Sequence, residues 1–155
     1  MPPSSAPATV PVDWSILQLS VSGVTFPVAR LKVPIYLGSP PPSPRSPRDL
    51  CWFDTGAPIS IVPFHVHHQR LSWQPIPGIS TTWAGQRCHL GRIDLWLTTQ
   101  QSPYLRGPIS LLAKFPLSDP PGDLVPILLG LEFVLAHQAE FQLLIPPRTS
   151  IIVLP

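Results

Sequence analysis

Apolar and polar positions alternate along much of this chain, and proline and glycine repeatedly interrupt the alternation. WSILQLSV (14–21) alternates loosely and predicts a strand, SG at 22 and 23 a turn, and FPVARLKVPIYLG (26–38) a second strand, with Val28, Leu31, Val33 and Ile35 apolar and Arg30 and Lys32 between them. LCWF and ISIV predict two short buried strands on either side of the triplet Asp54-Thr55-Gly56. Pro63 suits the first position of a short helix in PFHVHHQRL. PIPG (75–78) predicts a turn, and ISTTW, AGQ and RCHLGRIDLWLTT a hairpin that bends near Ala84, Gly85 and Gln86. PISLLAKF and the fully apolar LVPILLG predict further strands, with the loop DPPGD between them. LEFVLAHQ (131–138) places Leu131, Val134 and Leu135 on one helical face. AEFQLLI and TSIIVLP, joined by PPR, predict a terminal hairpin.

Two segments fall outside this pattern. Residues 1–13 read as a flexible or extended N-terminal arm. SPPPSPRSPRD (39–49) is a polar, proline-rich insertion; its PxxP spacings suit an SH3-type module, but a stiff hairpin loop is the favoured reading because such strings are common. Residues 14–155 then form one domain.

Composition strengthens the β reading. The 24 prolines and 9 glycines in 155 residues break helices and keep strands short. Charged residues are 12% of the chain, about half the usual ~25%, so few polar groups remain to cover a lone monomer, and association with another copy would hide the excess. Net charge is +2 with the basic residues scattered, which argues against nucleic acid as a partner. Cys51 and Cys88 fit neither a CxxC metal site nor a disulfide framework and read as buried free thiols. No basic residue precedes Arg30 and the first residues lack an apolar core, which argues against a secretory signal. No run of ~18 apolar residues suggests a membrane span, so the expected location is cytoplasmic.

Asp54 is the chemically interesting position. A carboxylate does not belong in CWFDTGAPISIVP unless something there stabilises or uses its charge. A DTG triplet alone is equally a turn between strands. Here the small Ala57 follows it, apolar runs flank it and suggest burial, and Ile127-Leu128-Leu129-Gly130 comes some seventy residues later, just before a helical pattern.

Over roughly residues 26–155 this combination resembles the retropepsin-like aspartic proteases. The resemblance implies an all-β, closed, barrel-like acid protease fold with one short C-terminal helix. It implies no cofactor. In such enzymes two carboxylates about 3 Å apart share one proton around a water: one acts as general base, and the other polarises the scissile carbonyl. This chain has one DTG, and no other acid shares its context, so the second carboxylate would come from another copy across a two-fold axis. By the same resemblance Asp54, Thr55 and Gly56 are the catalytic set, with Thr55 tying the two loops together and Gly56 bringing its N–H to the carboxylate. Ala57 would line the cleft, and Gly130 would end the strand beneath the loop. Trp83, Ala84 and Gly85 would form the substrate-covering flap, where Trp83 either covers substrate or packs on its own hairpin. TSIIVLP would supply a dimer-interface strand, joined by the arm. The expected function is a homodimeric aspartic endopeptidase that binds an extended peptide with apolar residues beside the cut. The rival expectations are a retropepsin-like module that binds or dimerises without cutting, favoured by the single-glycine flap and by Pro58, and an unrelated β-barrel in which Asp54 is a turn residue.

Other constellations are weaker. His65, His67 and His68 lack the i, i+4 spacing of a helical zinc pair, so surface or capping roles are preferred to a metal. There is no G-x-S-x-G, P-loop or GxGxxG. The five tryptophans are dispersed and read as core.

Overall fold

The computed structural model describes residues 7–38, 41–43, 45–68, 71–100, 104–144 and 149–155. Strands β1 (Ala8–Val21) and β2 (Val24–Leu37) form a long antiparallel ribbon. Ser22 and Gly23 turn it with positive φ at both positions, 50° and 79°, and the twist of such a turn matches that of the strands it joins. The strand begins at Ala8, so residues 8–13 of the expected arm are β-structure, while residues 1–6 lie outside the described set. The cause is a partner: β10 (Thr149–Leu154) pairs with this stretch, burying Val10 against Ile152 and Ala8 against Leu154. β9 (Glu140–Leu144) pairs with the other edge of β10, so the expected terminal hairpin is present, with its PPR bend outside the described residues.

Beyond Val12 the chain enters a second sheet. β2 pairs antiparallel with β3 (Asp49–Phe53), and β3 pairs parallel with β8 (Ile127–Leu129). β8 also meets β4 (Ser60–Ile61), so it is threaded between two strands that are near neighbours in sequence. β4 pairs parallel with β7 (Leu105–Pro116), β7 antiparallel with β6 (Gln86–Thr98), and β6 returns to β2 from Ile35↔Leu97 to Leu37↔Leu95. These pairings close six strands into a partial ring; β5 (Gln74–Trp83) hangs on β6 outside it. The protein is thus predominantly β, as its proline content and alternation predict. Leu95, Leu97, Leu111, Phe115 and Leu129 are fully buried in the core, on every second position of their strands. The 39–49 insertion joins the antiparallel β2 and β3, with residues 39, 40 and 44 outside the described set.

Three local expectations change. Pro75 to Gly78 do not turn the chain back but lie within β5, where pairing is irregular between Pro75 and Ser80. Prolines cannot donate to the ladder, so the strand bulges there. Both predicted helices are present but shorter than their patterns, where the family resemblance implied only the second: α1 (Phe64–His67) is a single turn with Pro63 at its N-cap rather than its first position, and α2 is Leu131–Ala136. On α2 the buried residue is Phe133, while Leu131 and Leu135 are exposed; a six-residue helix fixed at its start by the neighbouring loop fills the core with one large ring.

Candidate active site

The loop that follows β3 is shaped by β8 and α2. The Asp54 N–H donates to the Leu129 carbonyl at 2.9 Å, which extends the β3–β8 ladder by one rung. The chain then turns tightly: the Gly56 N–H donates to Asp54 Oδ1 at 2.9 Å and the Ala57 N–H to the Asp54 carbonyl at 3.1 Å. The carbonyls of Ala57 and Pro58 accept from the N–H groups of Leu131 and Glu132 at 2.9 and 3.0 Å, so the loop satisfies donors that the first turn of α2 leaves free. The Gly130 N–H donates to the buried Ser60 hydroxyl at 3.0 Å, a bond across 70 positions. A Cβ on Gly130 would stand 2.6 Å from the Ala57 carbonyl oxygen and 2.8 Å from the Ile59 carbonyl carbon. The two sequence motifs therefore form one tightly packed unit.

Ser60 was not singled out from sequence; the only signal is a small polar residue inside the apolar ISIV. Its removal has a defined consequence. Ser60→Ala leaves a buried N–H without an acceptor and is expected to lower stability by about 1–3 kcal/mol. Chemical denaturation of the variant measures this, and a loss within error of zero would show that the bond contributes nothing.

The triplet itself is less buried than its apolar flanks suggest. Asp54 is half-buried, and Thr55 and Gly56 are exposed in this chain. The flanking strands run into the core while the loop turns at its surface. The Thr55 hydroxyl makes no hydrogen bond among the described residues. Asp54 and Thr55 line a pocket of about 260 Å³ with Ala29, Arg30, Leu31, Trp52, Phe53, Val125 and Leu128. Arg30, Trp52 and Val125 were missed by sequence reasoning. The Arg30 guanidinium lies over the Trp52 ring, 5.0 Å from its centroid, and its Nε is buried without a hydrogen-bond partner. The signal for Arg30 was present but ambiguous: a cation alternating with apolar residues in a strand normally marks a solvent face. Apart from this cation, Asp54 and Thr55, the residues that line the pocket are apolar.

The predicted flap residues are not among those that line this pocket. Ala84 and Gly85 form a two-residue turn with φ of 48° and 76° between β5 and β6. The tip rests on the end of β7: Lys114 Nζ donates to the Thr82 carbonyl at 2.9 Å, Ser118 Oγ to Gln86 Oε1 at 2.5 Å, and the Leu117 N–H to the Arg87 carbonyl at 2.9 Å. Trp83 is half-buried. Neither Trp83, Ala84 and Gly85 nor Ala57 lines the Asp54 pocket of the same chain.

The histidines are dispersed in role. His67 is 6% exposed, packs edge-on against Trp73 and Phe115, and donates from Nε2 to the Pro116 carbonyl at 2.9 Å. His68 Nδ1 donates to the Phe64 carbonyl at 2.8 Å. His65 Nδ1 lies 3.1 Å from Asp119 Oδ1, off the line a hydrogen bond needs, while Asp119 Oδ2 accepts the His65 backbone N–H at 3.0 Å. Among the described residues no group of three His, Cys, Asp or Glu is placed to hold a metal ion. Burial pushes the Cys51 thiol up to about 12, and its S–H donates to the Val33 carbonyl, so it is an inert core residue; Cys88 is also buried and unpaired. No helix among the described residues is long and apolar enough to cross a membrane.

Burial holds His67 below its ordinary value of 6.5, with the hydrogen bond to Pro116 and the Asp119 charge opposing, and His68 and His65 adding to the effect. The folded state thus binds this proton less readily than the unfolded state. Stability is full above about pH 6.5 and falls as acidification protonates the unfolded chain first. His67→Phe keeps the ring packing and is expected to flatten the melting-temperature decline between pH 7 and the lower folded-state value. An unchanged slope would assign that decline to other groups.

No protein-family profile matches the chain, and no curated protein matches it significantly.

Proposed function

We propose that this protein is a retropepsin-like aspartic endopeptidase that works as a homodimer. The observation that carries the reading is the hydrogen-bonded unit of Asp54-Thr55-Gly56 and Ile127-Leu128-Leu129-Gly130, in which the Gly56 N–H holds one carboxylate oxygen of Asp54 beside the pocket that Asp54 lines. An Asp54 at the surface of its own chain suits pairing with its symmetry mate. Two such carboxylates share a proton; the ionised one takes a proton from water, which attacks the scissile carbonyl, while the protonated one hydrogen-bonds the carbonyl oxygen. The titration belongs to the pair. The hydroxyl of the exposed Thr55 would bond across the axis and fix the two loops. An extended peptide would add as a strand, with apolar side chains favoured beside the cut by Leu31, Trp52, Val125 and Leu128.

One observation favours a second reading, a module that dimerises or binds peptide without cutting. The β5–β6 tip is tied to residues 114–118, and none of its residues is among those that line the Asp54 pocket. A peptide-library digest between pH 4 and 7 separates the two. Cleavage supports the endopeptidase; binding without cleavage supports the module.

A further inference from the structure

Beyond Asp13 the β1–β2 ribbon leaves the body of the protein. Among the described residues no strand pairs with the outer edge of β2 before Leu31, and β10 leaves β1 after Val12. A two-stranded ribbon standing alone is marginal in water. Directly opposed residues share a face, so Leu17 with Val28, Leu19 with Phe26, and Val21 with Val24 form one continuous apolar face. The opposite face near the tip is polar: Gln18 stands beside Ser20 and Thr25, whose hydroxyls are 2.7 Å apart. Leu17, Leu19, Val21, Val24 and Phe26 are each between 39% and 63% exposed. Residues 14–29 carry no charge at all. Unprotected edges and apolar faces are normally blunted with charge, and this ribbon omits that protection.

We propose that the apolar face of the ribbon is an interface with a second copy of this chain. The proposal rests on the dimeric reading of Asp54 and supplies it with a contact. The terminal strand expected to join two copies is unavailable as an edge, because β1 and β9 occupy both sides of β10. The ribbon face offers on the order of 400 Å² of apolar surface per copy, in one contiguous patch rather than as scattered residues. That is about half of the ~800 Å² per partner of a standard interface, which leaves the loops around Asp54 to supply the rest. A face without charge is complementary to its own copy. It also begins at the site: Arg30, on the same face of β2 two positions beyond Val28, forms part of the wall of the Asp54 pocket. A two-fold axis passing beside Asp54 therefore brings the roots of both ribbons close together.

Sedimentation velocity over a concentration series tests this on three full-length proteins. The wild type is expected to dimerise. L19K/F26K, on the apolar face, is expected to raise the dimer dissociation constant at least about 100-fold. Q18K/T25K, on the opposite face of the same ribbon, is expected to change it less than about 3-fold. If lysines unfold the ribbon, the milder L17S/V24S replaces them, with a rise of at least about 10-fold expected. A dimer whose dissociation constant is the same in wild type and face variants overturns the ribbon contact and leaves the pairing of Asp54 standing. A wild type that stays monomeric to about 100 μM overturns both. A monomer that floats with phosphatidylcholine vesicles makes a lipid surface the occupant and likewise overturns the proposal. A ribbon-dependent dimer that cuts no peptide supports the contact and removes the endopeptidase reading.

Discussion

Asp54→Asn is expected to abolish peptide cleavage, by roughly 10⁴-fold or more, while the dimer persists. Each copy contributes one carboxylate to the proposed pair, so a single substitution removes both. The asparagine amide accepts no proton from water, which ends base catalysis, yet it keeps the shape of the side chain and can still accept the Gly56 N–H. Fold and association are therefore expected to survive. Asp54→Glu is the informative companion. It keeps the charge but moves the carboxylate by about one methylene, and a displacement of ~1 Å from productive geometry costs on the order of 10²-fold. The measurement is kcat/KM on a cleaved library peptide, with sedimentation alongside. Activity in the Asn variant comparable to wild type would remove Asp54 from the chemistry and leave the triplet as an ordinary turn.

The largest stability effect is expected at Gly130. Its φ of −91° suits any residue, so the cost of Gly130→Ala comes from space alone. The added methyl would meet the Ala57 oxygen, the Ile59 carbonyl carbon and the Ser60 nitrogen, all backbone, at 2.6 to 3.0 Å. No flexible side chain stands there to yield, so the loop carrying Asp54 must shift away from β8. A loss of about 3 kcal/mol is expected by overpacking, with activity falling alongside because the same loop holds the carboxylate. Gly23→Ala provides the contrast. It has open space around it but a φ of 79°, so backbone strain alone applies, about 1–2 kcal/mol. A Gly130→Ala protein less perturbed than Gly23→Ala would show that the loop is looser than its contacts imply.

What the sequence made legible was local. The Ser-Gly turn at 22 and 23, the bend at 84 and 85 and the apolar run before Gly130 each carry their own conformational signal. Phe133 and Ser60 carried none, because their roles depend on which distant element covers them. Arg30 was visible as a cation in a strand, but only the β2–β3 register shows that it lies over Trp52. The early start of β1 escaped notice because ATVPV becomes a strand only when β10 arrives to pair with it. The PIPG segment failed differently: its residues have turn chemistry, but the β6 partner holds them in a bulge. The Asp54 motif was recognisable because both of its halves are written as short contiguous strings.

The threading of β8 between β3 and β4 sets an order of events during synthesis. Contacts between Asp54 and Leu129, or Ser60 and Gly130, join segments some seventy residues apart, and such distant pairings form late. A nascent chain that has emerged only as far as the β6–β7 hairpin has its DTG triplet in hand but nothing to shape it. The loop acquires its form only once residues 127 to 132 have left the ribosome. A growing polypeptide of this kind carries its own carboxylate in an unformed loop until β8 and the start of α2 have emerged, so two neighbouring nascent chains could not present the proposed pair before then.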